Sequence, residues 1–206
     1  MCSAAYAVTA LTGRGQPSPR TSSAYGGLVS TEIVYETHSI TEDNERGIAT
    51  GWLPGRLSPR GRELAAELGR RRRDDGLAAV FSSDLARAAE TASVAFGGSP
   101  VPVLLDWRLR ECDYGSLNGT AAADLLAHRA DHLDDPYPGG ESWRQAVTRV
   151  GRFVDDLPLR WSGRRVLVIG HVATRWGLDH LISGVALENL VAADFAWQEG
   201  WEYLLP

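Results

Sequence analysis

Residues 164–171, RRVLVIGH, decide the fold. Val166 to Ile169 is continuously apolar and rich in β-branched side chains, as suits a strand covered on both faces, and Gly170 breaks the run directly before His171. Shorter runs of the same kind lie upstream. Thr31 to Glu36 (TEIVYE) leads into a polar segment with His38, Thr41 and Asn44, and Leu77 to Phe81 (LAAVF) ends at Ser82-Ser83-Asp84 before helical spacing through Leu85, Ala88, Ala89 and Ala92. Val101 to Leu105 repeats the strand signal. Ser58 as N-cap and Pro59 in the first turn open a helix that places Leu64, Ala65, Leu68 and Arg72 on one face, with Arg70 to Arg73 as a solvated C-terminal run. Helical spacing recurs over Ala121 to His132 and Ser142 to Leu157, with a turn-rich loop from Asp134 to Glu141 between them. A helix is predicted over Arg175 to Ser183, and short strands in Asn189 to Trp197 and Trp201 to Leu205. Strands alternating with helices predict an α/β protein, a three-layer α/β/α sandwich around a mostly parallel sheet, in one domain over residues 31–206. Residues 1–30, rich in Ser, Gly, Ala and Thr, read as a flexible N-terminal tail.

At 206 residues, 44% of them hydrophobic, the chain is long enough to bury one sizeable core. Twenty-one Lys plus Arg against 26 Asp plus Glu leave a formal net charge of −5, which argues against nucleic acid as a partner. No apolar run reaches the ~20 residues of a membrane helix, and the opening residues lack signal-peptide order, so neither a membrane partner nor export is expected. Two cysteines, Cys2 and Cys112, supply neither a disulfide framework nor a thiolate metal cage, and a cytoplasmic location is expected.

Polar residues just beyond the C-terminal ends of parallel strands converge on one edge of such a sheet. His38 and His171 both occupy that place, and an imidazole there can serve as nucleophile, base or hydrogen-bond donor near neutral pH. Arg87, at the start of a helix after a strand, faces the same edge, where its planar fork suits a phosphoryl group or carboxylate. Glu111, within WRLRECDYGSLNG, is a candidate general acid if burial keeps its carboxyl protonated. Taken singly, each residue also has a structural reading as a core histidine or an ion pair. His128 and His132 stand four apart on a helix, but without the Glu of an HExxH arrangement they do not read as a metal site. Most of the seven tryptophans read as packing residues.

In order along the chain these residues resemble the histidine phosphatase superfamily, which includes the cofactor-dependent phosphoglycerate mutases, from about Thr31 onward. The resemblance rests on Thr37-His38-Ser39 through Asn44, on Gly51-Trp52 with Leu57-Ser58 and Gly61, and on Ser82 to Ala92 around Arg87. It continues through Leu109 to Gly115 around Glu111, Pro138 to Ser142, and Val166 to His171. It implies a phosphoglycerate mutase-like fold, with His38 as the residue that becomes phosphorylated, Glu111 as general acid, and Arg87, His171 and Asn44 on the phosphoryl oxygens. Thr37 or Ser39 would add neutral hydrogen bonds.

The departures fall around the two histidines, and Ile40 stands where the family has glutamate. Thr37 stands where the family has arginine, Ser39 where it has glycine, and Val172 and Ala173 follow the second histidine in place of small polar residues or glycine. Loss of that arginine removes transition-state stabilisation worth several kcal/mol unless another cation replaces it. Arg56, Arg108, Arg110 and Arg175 are the candidates, Arg175 foremost because it lies four residues beyond His171. The resulting expectation is a phosphatase for a small phosphorylated metabolite that needs neither metal nor cofactor, with which a homodimer is compatible. The compact Asn118 to Glu141 segment favours a phosphatase over a mutase. Two alternatives keep the fold: altered chemistry on a less charged substrate, and a non-catalytic ligand-binding or partner-binding domain.

Overall fold

The computed structural model describes residues 29–206, so the N-terminal tail expected over residues 1–30 lies outside the described residues except at its end. There the carbonyl oxygens of Val29 and Ser30 accept hydrogen bonds from the Ser162 hydroxyl and the Gly163 N–H.

The described residues hold seven strands and eight α-helices: β1 (Thr31–Thr37), α1 (Glu42–Glu45), β2 (Ile48–Ala49), α2 (Pro59–Arg72), β3 (Leu77–Ser82), α3 (Ala86–Phe96), β4 (Val103–Leu105), β5 (Thr120–Ala121), α4 (Ala122–His128), α5 (Trp143–Asp156), α6 (Pro158–Trp161), β6 (Arg165–Gly170), α7 (Val172–Leu181), α8 (Leu187–Ala192) and β7 (Trp201–Leu205). Five strands form one sheet in the order β4-β3-β6-β1-β7. The first four are parallel, and β7 closes the edge antiparallel to β1. The apolar run that opened the reading is the central strand, fully buried from Val166 to Ile169.

Alternation along the strands assigns the two faces. Val34, Val80, Leu167 and Ile169 pack under Leu68 of α2 and Ala88, Ala92 and Phe96 of α3. Ile33, Tyr35, Phe81, Val166, Val168 and Tyr203 pack under Val150, Phe153 and Val154 of α5 and Leu178 of α7. The result is the expected three-layer sandwich, and it carries the C-terminal ends of β1, β3 and β6 to one edge.

Four expectations are corrected. The strand placed within Asn189 to Trp197 is instead helix α8 over Leu187–Ala192 followed by irregular chain, since Leu187 and Val191, four apart, bury one helical face. Helix α7 begins at Val172, because its first N–H groups find a carboxylate acceptor in Glu111. The helix expected through His132 changes at Arg129 to a 3-10 turn. The arginine run is only partly solvated: Arg71 and Arg72 both reach the Glu36 carboxylate, which is 2% exposed on β1, and pin α2 to the sheet.

Candidate active site

His38 follows β1, and its backbone N–H continues the sheet by donating to the Gly170 carbonyl at 2.9 Å. Ser83 extends β3 against Ile169 in the same way, so the exit points of all three strands are fixed by ladder hydrogen bonds. On the β1 side, Ser39 N–H donates to Thr91 Oγ1 on α3 (3.0 Å), and the Ser39 hydroxyl donates to the Gly61 carbonyl on α2 (2.7 Å). The Ser39 side chain is thus spent on holding the loop to α2.

The imidazole of His38 is oriented from behind. Nδ1 lies 2.7 Å from the Ser39 carbonyl oxygen, which can only accept, so the proton resides on Nδ1 and Nε2 carries the lone pair. Arg87 Nε donates to that Nε2 at 3.3 Å. The same guanidinium contacts His171, with Nη2 3.2 Å from Nδ1. Arginine has no acceptor, so His171 Nδ1 accepts and its proton resides on Nε2. That N–H is buried and has no hydrogen-bond partner among the described residues. The two ring centroids lie 5.0 Å apart, with the ring planes tilted by 51°. Burial and the Arg87 charge lower both imidazoles, His38 to about 3 and His171 well below its ordinary value, so both are neutral at physiological pH.

Arg87 is 2% exposed and is itself held by carbonyl oxygens, Gly51 at 2.9 Å and Leu53 at 3.4 Å. The Tyr35 hydroxyl donates to the His171 carbonyl at 2.6 Å, and Thr174 Oγ1 accepts from His171 N–H while donating to the Leu109 carbonyl. These contacts fix the turn between β6 and α7.

Glu111 occupies the N-terminus of α7. Oε1 accepts from Cys112 N–H (2.9 Å) and Ala173 N–H (3.0 Å), and Oε2 from Val172 N–H (3.3 Å). Burial raises its pKa, while those N–H groups and the nearby Arg87 pull it back, and the net shift is upward. A raised pKa widens the pH range over which this carboxyl keeps its proton. Trp52 Nε1 and Arg149 Nη2 both donate to the Glu111 carbonyl.

The remaining anticipated residues lie apart from this cluster. The Asn44 carboxamide oxygen accepts the Thr41 N–H in the capping box of α1, and the residue is exposed. Thr37 Oγ1 accepts from Trp197 Nε1. None of the candidate replacement arginines hydrogen-bonds either histidine: Arg110 grips Asp84 with two bonds, Arg108 is paired with Asp106 and Asp156, Arg175 binds Asp179 at 2.6 Å over the Trp201 ring, and Arg56 is exposed. His132 stacks on Tyr137, and His128 is exposed beside Asp131. Sequence reasoning did not single out Thr91, Tyr35 or Arg149. The role of each rests on a backbone contact with a distant segment, which leaves no local pattern.

A family model described as the histidine phosphatase superfamily (branch 1) matches residues 37–196. A 2,3-bisphosphoglycerate-dependent phosphoglycerate mutase of Methylobacterium sp. (strain 4-46) is 32% identical over 173 residues, spanning 77% of this chain and 83% of that protein. Among solved structures, Bacillus stearothermophilus YhfR superposes with a TM-score of 0.73 at 28% identity, covering 82% of this chain and 88% of its own. A mycobacterial glucosyl-3-phosphoglycerate phosphatase superposes with a TM-score of 0.69 at 26% identity, covering 79% and 84%.

Proposed function

The chain belongs to the histidine phosphatase superfamily, and from that membership we propose that it is a cytoplasmic phosphatase of small phosphomonoesters that uses His38 as nucleophile and Glu111 as general acid. The observation that carries this reading is the Arg87 guanidinium bridging His38 Nε2 and His171 Nδ1. The His38 Nε2 lone pair accepts from the guanidinium, which must hand it over to an incoming phosphorus, and His171 presents an unpartnered Nε2–H beside the same fixed positive charge.

In the first step His38 Nε2 attacks phosphorus in line, the bond to the leaving oxygen breaks, and Glu111 gives that oxygen its proton. Equatorial oxygens take hydrogen bonds from Arg87 and from His171 Nε2–H, both fixed in advance of the substrate. In the second step water attacks the phosphohistidine, Glu111 accepts its proton, and inorganic phosphate leaves with His38 restored. The Ser39 carbonyl stabilises the charge that appears on the ring when Nε2 is phosphorylated, since Nδ1–H stays bonded to it throughout. The scheme draws its nucleophile and its acid from side chains and calls on no metal ion.

The short span between Asn118 and Glu141, holding only β5, α4 and a 3-10 turn, supports hydrolysis over mutase action, which must enclose a bisphosphate. The mycobacterial phosphatase supports the same choice. Phosphate release from a panel of phosphorylated metabolites with EDTA present tests it. Turnover abolished in His38→Ala is expected. No release by the folded wild-type protein across the panel overturns the reading.

A further inference from the structure

One cation serves this site. Arg87 is the single guanidinium among the described residues that hydrogen-bonds either histidine, and both imidazoles beside it are neutral. Its charge is already faced by Asp43 of α1. Of the other neighbouring arginines, Arg110 pairs with Asp84, Arg149 with Glu141, Arg175 with Asp179 and Arg46 with Asp43, and Arg56 is exposed, where water screens its charge. The first N–H groups of α7, which elsewhere would receive an anion, are taken by Glu111. At the end of β1 the side chain is the neutral Thr37, whose hydroxyl oxygen already accepts from Trp197. Two uncharged donors remain, the Thr37 hydroxyl proton and the buried His171 Nε2–H.

We propose that the site selects a tetrahedral oxyanion group bearing one negative charge, and that a phosphomonoester reacts here as its monoanion. The proposal rests on the phosphatase reading above and narrows its substrate. A phosphomonoester loses its second proton near pH 6, so at neutral pH most of it carries two charges. Beside the buried Arg87, His171 and Glu111 the first charge meets Arg87, and the second has no buried counterpart. A protonated phosphoryl oxygen removes that second charge.

Activity against pH alone does not isolate this preference, since Glu111 must also be protonated to act as acid. Binding of two isosteric ligands without a leaving group does. Benzenesulfonate has one charge at every working pH, whereas phenylphosphonate passes from one charge to two as the pH rises. Calorimetry on the full chain is expected to show the sulfonate binding at least ~10-fold tighter near pH 8.5, with the two converging to within about threefold near pH 5.5. Thr37→Arg, which adds a cation at the end of β1, is expected to favour the phosphonate at the higher pH, and the wild-type comparison stands even if that variant fails to fold. Phosphate release accompanied by equal or tighter phosphonate binding near pH 8.5 overturns the single-charge preference and leaves the phosphatase reading intact. Binding of neither ligand, with no phosphate release, overturns both.

Discussion

The indole N–H of Trp197 donates to Thr37 Oγ1 at 3.2 Å, tying the connection after α8 to the end of β1. With its oxygen accepting from the indole, the Thr37 hydroxyl keeps its own proton to give, one residue from His38. Trp197 is 47% exposed, so its ring contributes little to the core and stands at the rim of the site. Trp197→Phe keeps an aromatic wall but loses the donor. The expected outcome is a several-fold rise in KM with kcat nearly unchanged, and a stability loss of at most about 1 kcal/mol, the net worth of one hydrogen bond. Steady-state kinetics beside thermal melts check it; a fall in kcat with KM constant would count against a binding role.

Arg149 is a positioning residue for Glu111. Its guanidinium is nearly buried and donates to the carbonyl oxygens of Arg108, Arg110 and Glu111 as well as to both carboxylate oxygens of Glu141. Arg149→Met removes a donor from the Arg108 and Arg110 carbonyls and leaves the Glu141 carboxylate on the Asp113 N–H, while the Glu111 carbonyl keeps only Trp52, with an expected cost of about 3 kcal/mol in denaturant unfolding. Arg149→Lys cannot span the same five acceptors and is expected to recover only part of the loss. If both variants unfold like the wild type, Glu111 is held by something else.

Much of this site was legible because its chemistry sits at strand exits. His38 and His171 follow apolar runs, and Arg87 follows a strand and a polar turn, so one sheet edge gathers them whatever the details of packing. Asn44 and Ser39 were harder to read, because short polar side chains near a turn satisfy backbone groups as readily as ligands. Asn44 caps α1 and Ser39 ties the loop to α2. The Asn189 to Trp197 segment misled for another reason: its short apolar runs fit a strand or a helix equally well, and Leu187 and Val191, four apart, settle the matter by packing one helical face with residues of α5 and α7. Arg71 and Arg72 fit a helix terminus equally well, and their partner Glu36 lies 35 or more positions away.

Stability is expected to fall on acidification for a reason located in the site. In the unfolded chain His38 protonates around 6.5, whereas in the folded protein it stays neutral down to about 3. Between those values the unfolded state binds more protons, so the contribution is whole above 6.5 and declines as the pH drops toward 3. His171 acts in the same direction. Glu111 acts oppositely, since its raised pKa favours the folded state when the carboxyl is protonated and loses that contribution as the pH rises through the folded value. Urea midpoints measured from acid to neutral pH should rise more steeply for the wild type than for His38→Gln. Parallel slopes in the two proteins would show that His38 titrates normally.

Gly61 is the place where α2 meets the nucleophile's loop. A Cβ there would lie 1.9 Å from the Ile40 carbonyl oxygen, a backbone atom that cannot swing aside. The same loop is bound to α2 by Ser39 Oγ to the Gly61 carbonyl and by Ser58 N–H to the Ile40 carbonyl, so displacement of Ile40 carries Ser39 and His38 with it. Gly61→Ala is therefore expected to cost about 1–3 kcal/mol of stability by overpacking. Catalysis should suffer more, because a shift of ~1 Å at an in-line nucleophile can cost on the order of 100-fold in rate. Gly69 supplies the control on the same helix. Its Cβ would lie 2.2 Å from the Ala95 carbonyl oxygen on α3, a clash of the same kind but away from His38. Gly69→Ala should lose comparable stability and keep kcat within about threefold of the wild type, since the loop carrying His38 is left in place. Equal kcat values in the two variants, measured well below their melting temperatures, would mean that α2 does not set the position of the nucleophile.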